Sequence, residues 1–257
     1  MPASDLASLL STRALGRTIH ALDEVGSTSD LARSLADAGA THGTLVVAEA
    51  QRWGRGRRGR VWVSPPGENL LFSLVLRPAI PLARASELTL VAAVAIAEAL
   101  GGAGFPAAIR WPNDLLLAGK KVAGILTELA ASGEAIRWVV LGVGIDVNSR
   151  VFPPGVAEIA TSLALFSGQE VARAPLLAAV LGSLESWLAR HAREGLGPVR
   201  ERWLQRSSTI GARVRAEGPE GPVEGLAEAM DEDGALLVRD AAGRLARIVA
   251  GDVEPIR

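Results

Sequence analysis

Gly54-Arg55-Gly56-Arg57-Arg58-Gly59-Arg60 runs directly into Val61-Trp62-Val63-Ser64-Pro65-Pro66, and that junction separates two folds. The first seven residues satisfy the G-x-G-x-x-G pattern of dinucleotide-binding folds, which needs a helix to begin inside it so that a pyrophosphate meets the helix N-terminus. The valines, the tryptophan and the two prolines after it predict extended chain or loop instead. A doubly wound nucleotide fold is thereby set aside. What remains is a loop of four arginines and three glycines. Glycine lets backbone approach an anion closely, and guanidinium groups make forked hydrogen bonds to carboxylate or phosphate oxygens. The loop suits closure on a polyanionic ligand. A solvated basic loop and an arginine-rich nucleic-acid arm are the alternatives. The second has no support elsewhere, because 27 basic and 28 acidic side chains nearly cancel and leave no global field for nucleic acid or an anionic membrane.

Upstream of the loop, Ser27-Thr28-Ser29 precedes Leu31, Leu35 and Ala38 at helical spacing, and Asp30 stands three positions after Ser27, as in a capping box. A helix is expected to about Gly39. Leu45 to Ala48, Leu70 to Leu76, Val122 to Leu129 and Ile136 to Ile145 read as strands of one sheet, while Glu87 to Leu100 and Pro175 to Arg193 read as helices. Their irregular order favours an α+β fold, a mixed sheet with helices packed on it. From Ser207 to Gly211 the pattern changes to short β-like runs with glycine turns, Ala212 to Ala216, Val223 to Ala229, Leu236 to Asp240 and Leu245 to Ala250. Residues 1–207 are therefore expected to form the main domain and 208–257 a small all-β domain.

The absence of cysteine excludes disulfides, thiolate metal sites and thioester intermediates, and makes the cytoplasm the expected compartment. The apolar run Leu88 to Leu100 is read as a core helix, short of the roughly 20 residues that span a bilayer. Met1 to Leu15 lacks a basic start and a cleavage site, so no signal peptide is expected. His20, His42 and His191 lack metal-ligand spacing, and no serine sits in a nucleophile elbow.

Arg110-Trp111-Pro112-Asn113-Asp114 predicts a rigid turn at a sheet edge, and Gly119-Lys120-Lys121-Val122 a second turn at the mouth of a strand. A lysine fixed there would offset the negative charge of an acyl-adenylate transition state, although a surface lysine on a hairpin has the same signature. A Walker A loop is excluded, since Asp114 stands where its first glycine is needed and Lys121 where Ser or Thr is required.

Together these segments resemble the biotin protein ligases over the chain from about residue 10 to its end. The matching blocks are Ser27-Thr28-Ser29, Ala48-Glu49-Ala50-Gln51 with the glycine-arginine loop, and Trp62-Val63-Ser64-Pro65 with Gly67 and Asn69-Leu70. Arg110 to Asp114 with Lys121 and Ala123-Gly124-Ile125-Leu126 comes next, then Gly142-Val143-Gly144-Ile145-Asp146-Val147-Asn148 and finally Gly251-Asp252-Val253. The resemblance implies a biotin/lipoate ligase-like catalytic domain and an SH3-like C-terminal domain. It implies formation of biotinyl-5′-AMP from biotin and Mg-ATP, then transfer of biotin to a lysine of a biotin carboxyl carrier protein or domain, such as that of acetyl-CoA carboxylase. Lys121, Arg55 and Arg57 would be catalytic. Ser27, Thr28, Ser29, Gln51, Arg55, Gly56, Arg57, Lys121, Gly124 and Gly144 would bind biotin. Arg57, Arg58, Gly59, Trp62, Asn113, Asp114, Lys121 and Asn148 would face ATP or the adenylate, with the magnesium ligands left open. Asp146 stands where many relatives have asparagine, and Arg110 where lysine is more usual. With about 26 residues before Ser27, the resemblance is to a form without an N-terminal helix-turn-helix repressor domain. A homodimer could form through an exposed strand edge. The nearest alternative enzyme is a lipoate ligase, and the non-enzymatic one a biotin-binding protein.

Overall fold

The computed structural model describes residues 3–218 and 221–256. Met1 and Pro2, the start of the N-terminal stretch with no expected signal peptide, lie outside them.

A seven-stranded mixed sheet organises the molecule. Its strands are β1 (Ile19–Val25), β2 (Leu45–Gln51), β3 (Leu70–Leu76), β4 (Ala108–Arg110), β5 (Asp114–Leu117), β6 (Lys120–Ser132) and β7 (Ala135–Ile145), in the order β1-β2-β3-β7-β6-β5-β4. β1 and β2 are parallel and the other neighbours antiparallel. β3 reads Leu-Leu-Phe-Ser-Leu-Val-Leu and is buried at every position, because it sits mid-sheet with both faces covered.

On one face lies α2 (Thr28–Asp37), whose Ala32 and Ala36 meet Val46, Val75, Trp138 and Val140. The other face carries α3 (Glu87–Gly102), backed by α5 (Arg173–Glu194) and α6 (Gly197–Gln205). α3 is apolar all round because it is enclosed all round. With the turn Leu82–Arg84 before it, the stretch 82–102 is apolar and long enough by composition to cross a membrane, longer than the 13 residues read from the sequence; most of it is buried in the core. The short helices α1 (Ala3–Leu9) and α4 (Leu163–Ser167) complete this part.

A second sheet follows α6: β8 (Arg213–Gly218), β9 (Gly221–Met230), β10 (Leu236–Asp240), β11 (Leu245–Ile248) and β12 (Val253–Pro255), all antiparallel in the order β11-β10-β9-β8-β12. Its Val214, Ala216, Ala227, Leu236 and Val238 join the same apolar cluster as the first sheet. Hydrogen bonds cross the junction from Trp111 N to Thr209 Oγ1 and from Trp111 Nε1 to Gly234 O, 2.9 and 3.1 Å.

Several short or charged elements leave no pattern in the sequence, notably β1, β5, β12, α1 and α6. β1 carries Asp23 and Glu24 exposed on the sheet edge, where burial imposes no apolar alternation. The capping box is half formed. Ser27 Oγ accepts the Asp30 N–H at 3.4 Å, but the Asp30 carboxylate turns outward to Arg33 and Arg55.

Candidate functional site

Two glycines facing each other across β6 and β7, Gly124 and Gly144, form the floor of a cleft over the sheet. At one end the start of α2, the end of β2 and the middle of β3 bring four polar side chains together. Thr28 donates to Gln51 Oε1 through its backbone N–H at 2.7 Å and its hydroxyl at 3.0 Å. Ser73 Oγ donates to Thr28 Oγ1 at 2.9 Å and lies 3.1 Å from Ser29 Oγ. These hydroxyls are buried yet mutually satisfied, an arrangement that fixes them before any ligand arrives. Gly142 is part of the design, because a Cβ there would stand 2.4 Å from Ser29 Oγ. Neither Ser73 nor Gly142 is among the site residues expected from the sequence. A signal exists in β3, where Ser73 is the one polar residue in an apolar strand.

At the other end the charges converge. Lys121 Nζ contacts Asp114 Oδ1 at 2.6 Å, and Arg110 holds the second oxygen of the same carboxylate at 2.6 Å. Burial works to raise the Asp114 pKa, but Lys121 and Arg110 outweigh it and hold the carboxyl below its ordinary range. Arg110 therefore serves in place of lysine without loss of charge. The backbone of Lys121 is clamped as well: its N–H donates to Ile159 O and its carbonyl accepts from Thr161 N, both at 2.8 Å. Asn113 donates to Ile125 O at 2.9 Å and accepts from Arg57 at 2.7 Å, so the turn carrying it links the sheet to the loop.

The glycine-arginine loop folds over the cleft. Gly54 is required where the chain recrosses itself, since a Cβ would stand 2.2 Å from Trp62 O. Arg58 takes a left-handed conformation, φ 54°, unusual for a residue with a Cβ and a sign of local strain. Arg55 and Arg57 do different things. Arg55 is forked onto Glu128 at 2.8 and 3.2 Å and reaches Asp30 at 2.7 Å, which ties the loop to β6 and α2. Arg57 is more buried, bonds Asn113 and Gly251 O, and approaches Asp252 no closer than 4.0 Å. Burial, more than its neighbours, pulls the Arg57 pKa below its ordinary value, with Arg58 and Arg60 acting in the same direction against Asp252 and Asp114. Among the described residues no carboxylate lies closer than 4.0 Å to this cation, and an anionic ligand would supply that partner. Asp252, which also binds Arg60, brings the C-terminal sheet into the site; the sequence marks it only as part of a motif.

Trp62 lies across the glycine floor. A Cβ on Gly144 would stand 2.5 Å from its ring and one on Gly124 3.0 Å, and Lys121 Nζ sits 5.5 Å from the ring centroid. Its indole N–H is buried and has no hydrogen-bond partner among the described residues. Trp62 thus covers the two glycines expected to border biotin.

The cleft wall includes Thr28, Ser29, Gln51, Gly56, Asn113 and Lys121, with Arg55, Arg57, Asp114, Trp62 and the two floor glycines. Four expected residues are elsewhere. Ser27 caps α2 behind the wall. Arg58 and Gly59 form the outer turn of the loop. Asn148 spends both ends of its amide on the backbone of Val171, at 3.0 and 2.9 Å, and so braces a loop instead of facing the cleft. Asp146, one strand from Lys121, is buried beside Asn69, and burial pushes its carboxyl up to about 8 although Lys121 pulls the other way. Among the described residues no group of three or more His, Cys, Asp or Glu could hold a metal ion.

This geometry has counterparts. Residues 24–146 match the model of the biotin/lipoate A/B protein ligase family, and residues 209–254 that of the biotin protein ligase C terminal domain. The bifunctional ligase/repressor BirA of Bacillus subtilis is 38% identical over 254 residues, 98% of this chain and 78% of that protein. The biotin–[acetyl-CoA-carboxylase] ligase of Mycobacterium tuberculosis is 34% identical, with 94% of this chain and 90% of that protein aligned. Among solved structures, the biotin protein ligase of Aquifex aeolicus in complex with biotin and ATP superposes with a TM-score of 0.81 at 30% identity, covering 94% of this chain and 99% of that one.

Proposed function

Because the chain belongs to the biotin protein ligase family, we propose that its cleft joins biotin to ATP and delivers the biotinyl group to a carrier lysine. In the first step a biotin carboxylate oxygen attacks the α-phosphorus and the bond to the β-phosphate breaks, giving biotinyl-5′-AMP and pyrophosphate. In the second the lysine amine attacks the acyl carbon, the acyl–phosphate bond breaks, AMP leaves with the electron pair, and the new amide nitrogen gives up a proton to solvent. The chain acts as an AMP-forming ligase without a covalent enzyme intermediate.

The observation that carries this reading is the polarity of the cleft: neutral hydroxyls and an amide at one end, arginine and lysine at the other, and glycine between. The ureido ring of biotin offers two N–H donors and a carbonyl, which suits Thr28, Ser29, Ser73 and Gln51. Arg57 and Lys121 would then meet the carboxylate and α-phosphate, where charge accumulates in the transition state, with Asp114 aiming Lys121. Asn113 would keep Arg57 in place, and the loop would shield the adenylate from water. No protein cage for magnesium exists among the described residues, so the ion would arrive on the phosphates of ATP. The carrier would be a biotin-accepting domain of acetyl-CoA carboxylase or a related carboxylase, and the enzyme would work in the cytoplasm. We place the chemistry on residues 1–207, with 208–257 supplying the latch at Gly251 and Asp252.

ATP–pyrophosphate exchange tests this directly, with biotin and lipoate compared as the stimulating acid. Exchange with biotin alone is expected. Exchange with lipoate alone would move the chain to lipoate chemistry, and exchange with neither would leave a binding protein.

A further inference from the structure

The glycine-arginine loop leaves the sheet at the end of β2 and rejoins it at Leu70, the first residue of β3. Its return arm, residues 60–69, carries Trp62 and ends on a buried amide, Asn69. Asn69 Oδ1 accepts the Val147 N–H at 2.8 Å, which settles which end of the amide faces β7. The nitrogen is thereby turned toward three oxygens: Ser149 Oγ at 2.8 Å, Ser64 Oγ at 2.9 Å and Asp146 Oδ1 at 3.3 Å. A primary amide nitrogen carries two hydrogens, so it cannot satisfy all three. The two hydroxyls lie at ordinary hydrogen-bond distance and the carboxyl beyond it. None of these four residues is part of the cleft lining.

The order of the three distances follows from charge. Burial pushes the Asp146 carboxyl up to about 8 while Lys121 on β6 pulls the other way, so at neutral pH it is an uncharged, weak acceptor. Ionised, it would accept about twice as strongly as a neutral group and claim one of the two hydrogens. Ser149 is fully buried, whereas Ser64 is partly exposed and also reaches Pro65 O at 3.2 Å, so Ser64 is the partner that can be given up. The other charged groups on the elements around the amide are Glu68 on the arm, Glu49 on β2 and Arg173 on α5. Arg173 donates to Asn69 O at 3.1 Å and pairs with Glu49 at 2.8 Å. Arg150, next to Ser149, is exposed, and α4, which donates the Leu163 N–H to Asp146 O, has no charged residue.

We propose that Asn69 is a positioning residue for the loop, clamping its return arm through Ser64, and that Asp146 and Ser64 compete for one amide hydrogen, so that ionisation of the carboxyl releases the arm. Its part in the reaction rests on the ligase reading above: a released arm frees Trp62 and opens the site to water and free amines. The release itself is a property of the fold alone.

Two readouts on the full chain separate these. Without ligands, the rate at which trypsin first cuts within residues 52–60 is measured from about pH 7 to about pH 9 for wild type, Asp146→Asn and Ser64→Ala. Each rate is divided by that of Asp146→Asn at the same pH, so that the protease's own pH dependence cancels. The wild-type ratio is expected to rise about fivefold across the range, as loss of one hydrogen bond from an opening equilibrium predicts, and Ser64→Ala to show the raised ratio at every pH. With biotin and ATP, hydroxamate formation from the activated biotin should follow the same pattern. A wild-type ratio that stays flat overturns the proposal. So does a Ser64→Ala chain that keeps the wild-type rise, because the bond to Ser64 is then not the one the carboxyl breaks. Hydroxamate formation that stays flat while proteolysis rises overturns the clamp's part in shielding. The expected proteolysis without biotin-stimulated exchange at any pH would leave the clamp standing and overturn the ligase reading instead.

Discussion

The two ends of the cleft are built by opposite means. The hydroxyl end rests on the start of a helix and on two central strands, and its Thr28–Gln51–Ser73 bonds are complete without ligand. The charged end depends on a loop with a strained arginine and on ion pairs that a substrate must share or displace. On the proposed reading affinity and chemistry are therefore separable: a preorganised pocket would hold the head of the ligand, while the loop would supply the charge.

Lys121→Ala tests that separation most severely. It should lower the rate of adenylate formation about 100- to 1,000-fold, as loss of a transition-state charge partner does. Biotin affinity by calorimetry should stay within about threefold, a change under 1 kcal/mol; a large loss of affinity would mean that the two ends are one unit. Next in size is Asp146→Asn. Folded Asp146 keeps its proton up to about pH 8, whereas the unfolded chain releases it near the ordinary value of 3.8, so wild-type stability falls as pH rises between those limits and levels off above them. Asparagine removes that penalty. The variant should be more stable than wild type at pH 8, seen as a higher Tm, with the gain vanishing by pH 3.5. A gain independent of pH would mean that the carboxyl is not held neutral.

Gly142→Ala acts on the other end. The new methyl must push Ser29 aside, and biotin affinity should weaken about tenfold with the single-turnover rate at saturating biotin preserved. Arg57→Gly removes the contacts to Asn113 and Gly251 and should raise leakage of activated biotin to free amines by about threefold, measured as hydroxamate formation. An unchanged leak would assign the shielding to Trp62 alone.

Features set by side-chain type alone are legible in the sequence. The fully apolar β3, the enclosed α3 and the Ser27 cap show there because burial and capping impose residue patterns over several positions. The glycine-arginine loop and Lys121 show because few other tasks need that chemistry. Asn148 misleads: an amide after a glycine-rich strand looks the same whether it faces a ligand or braces Val171, and its partner lies 23 residues away. Arg55 and Arg57 stand two residues apart in one motif, and only three-dimensional placement separates the anchor from the ligand-facing cation. Ser73 and Gly142 belong to the pocket through contacts between elements far apart in the chain, which no local pattern records.

The bond from Arg57 to Gly251 joins residues 194 positions apart. On a ribosome adding about 5–20 residues per second, the loop is made roughly 10–40 seconds before the segment that latches it. During that interval the loop can fasten to Asp30, Asn113 and Glu128 but not yet to the C-terminal segment. The last fastening of the cover is thus also the last part of it to be synthesised, long after the strands that carry the cleft floor.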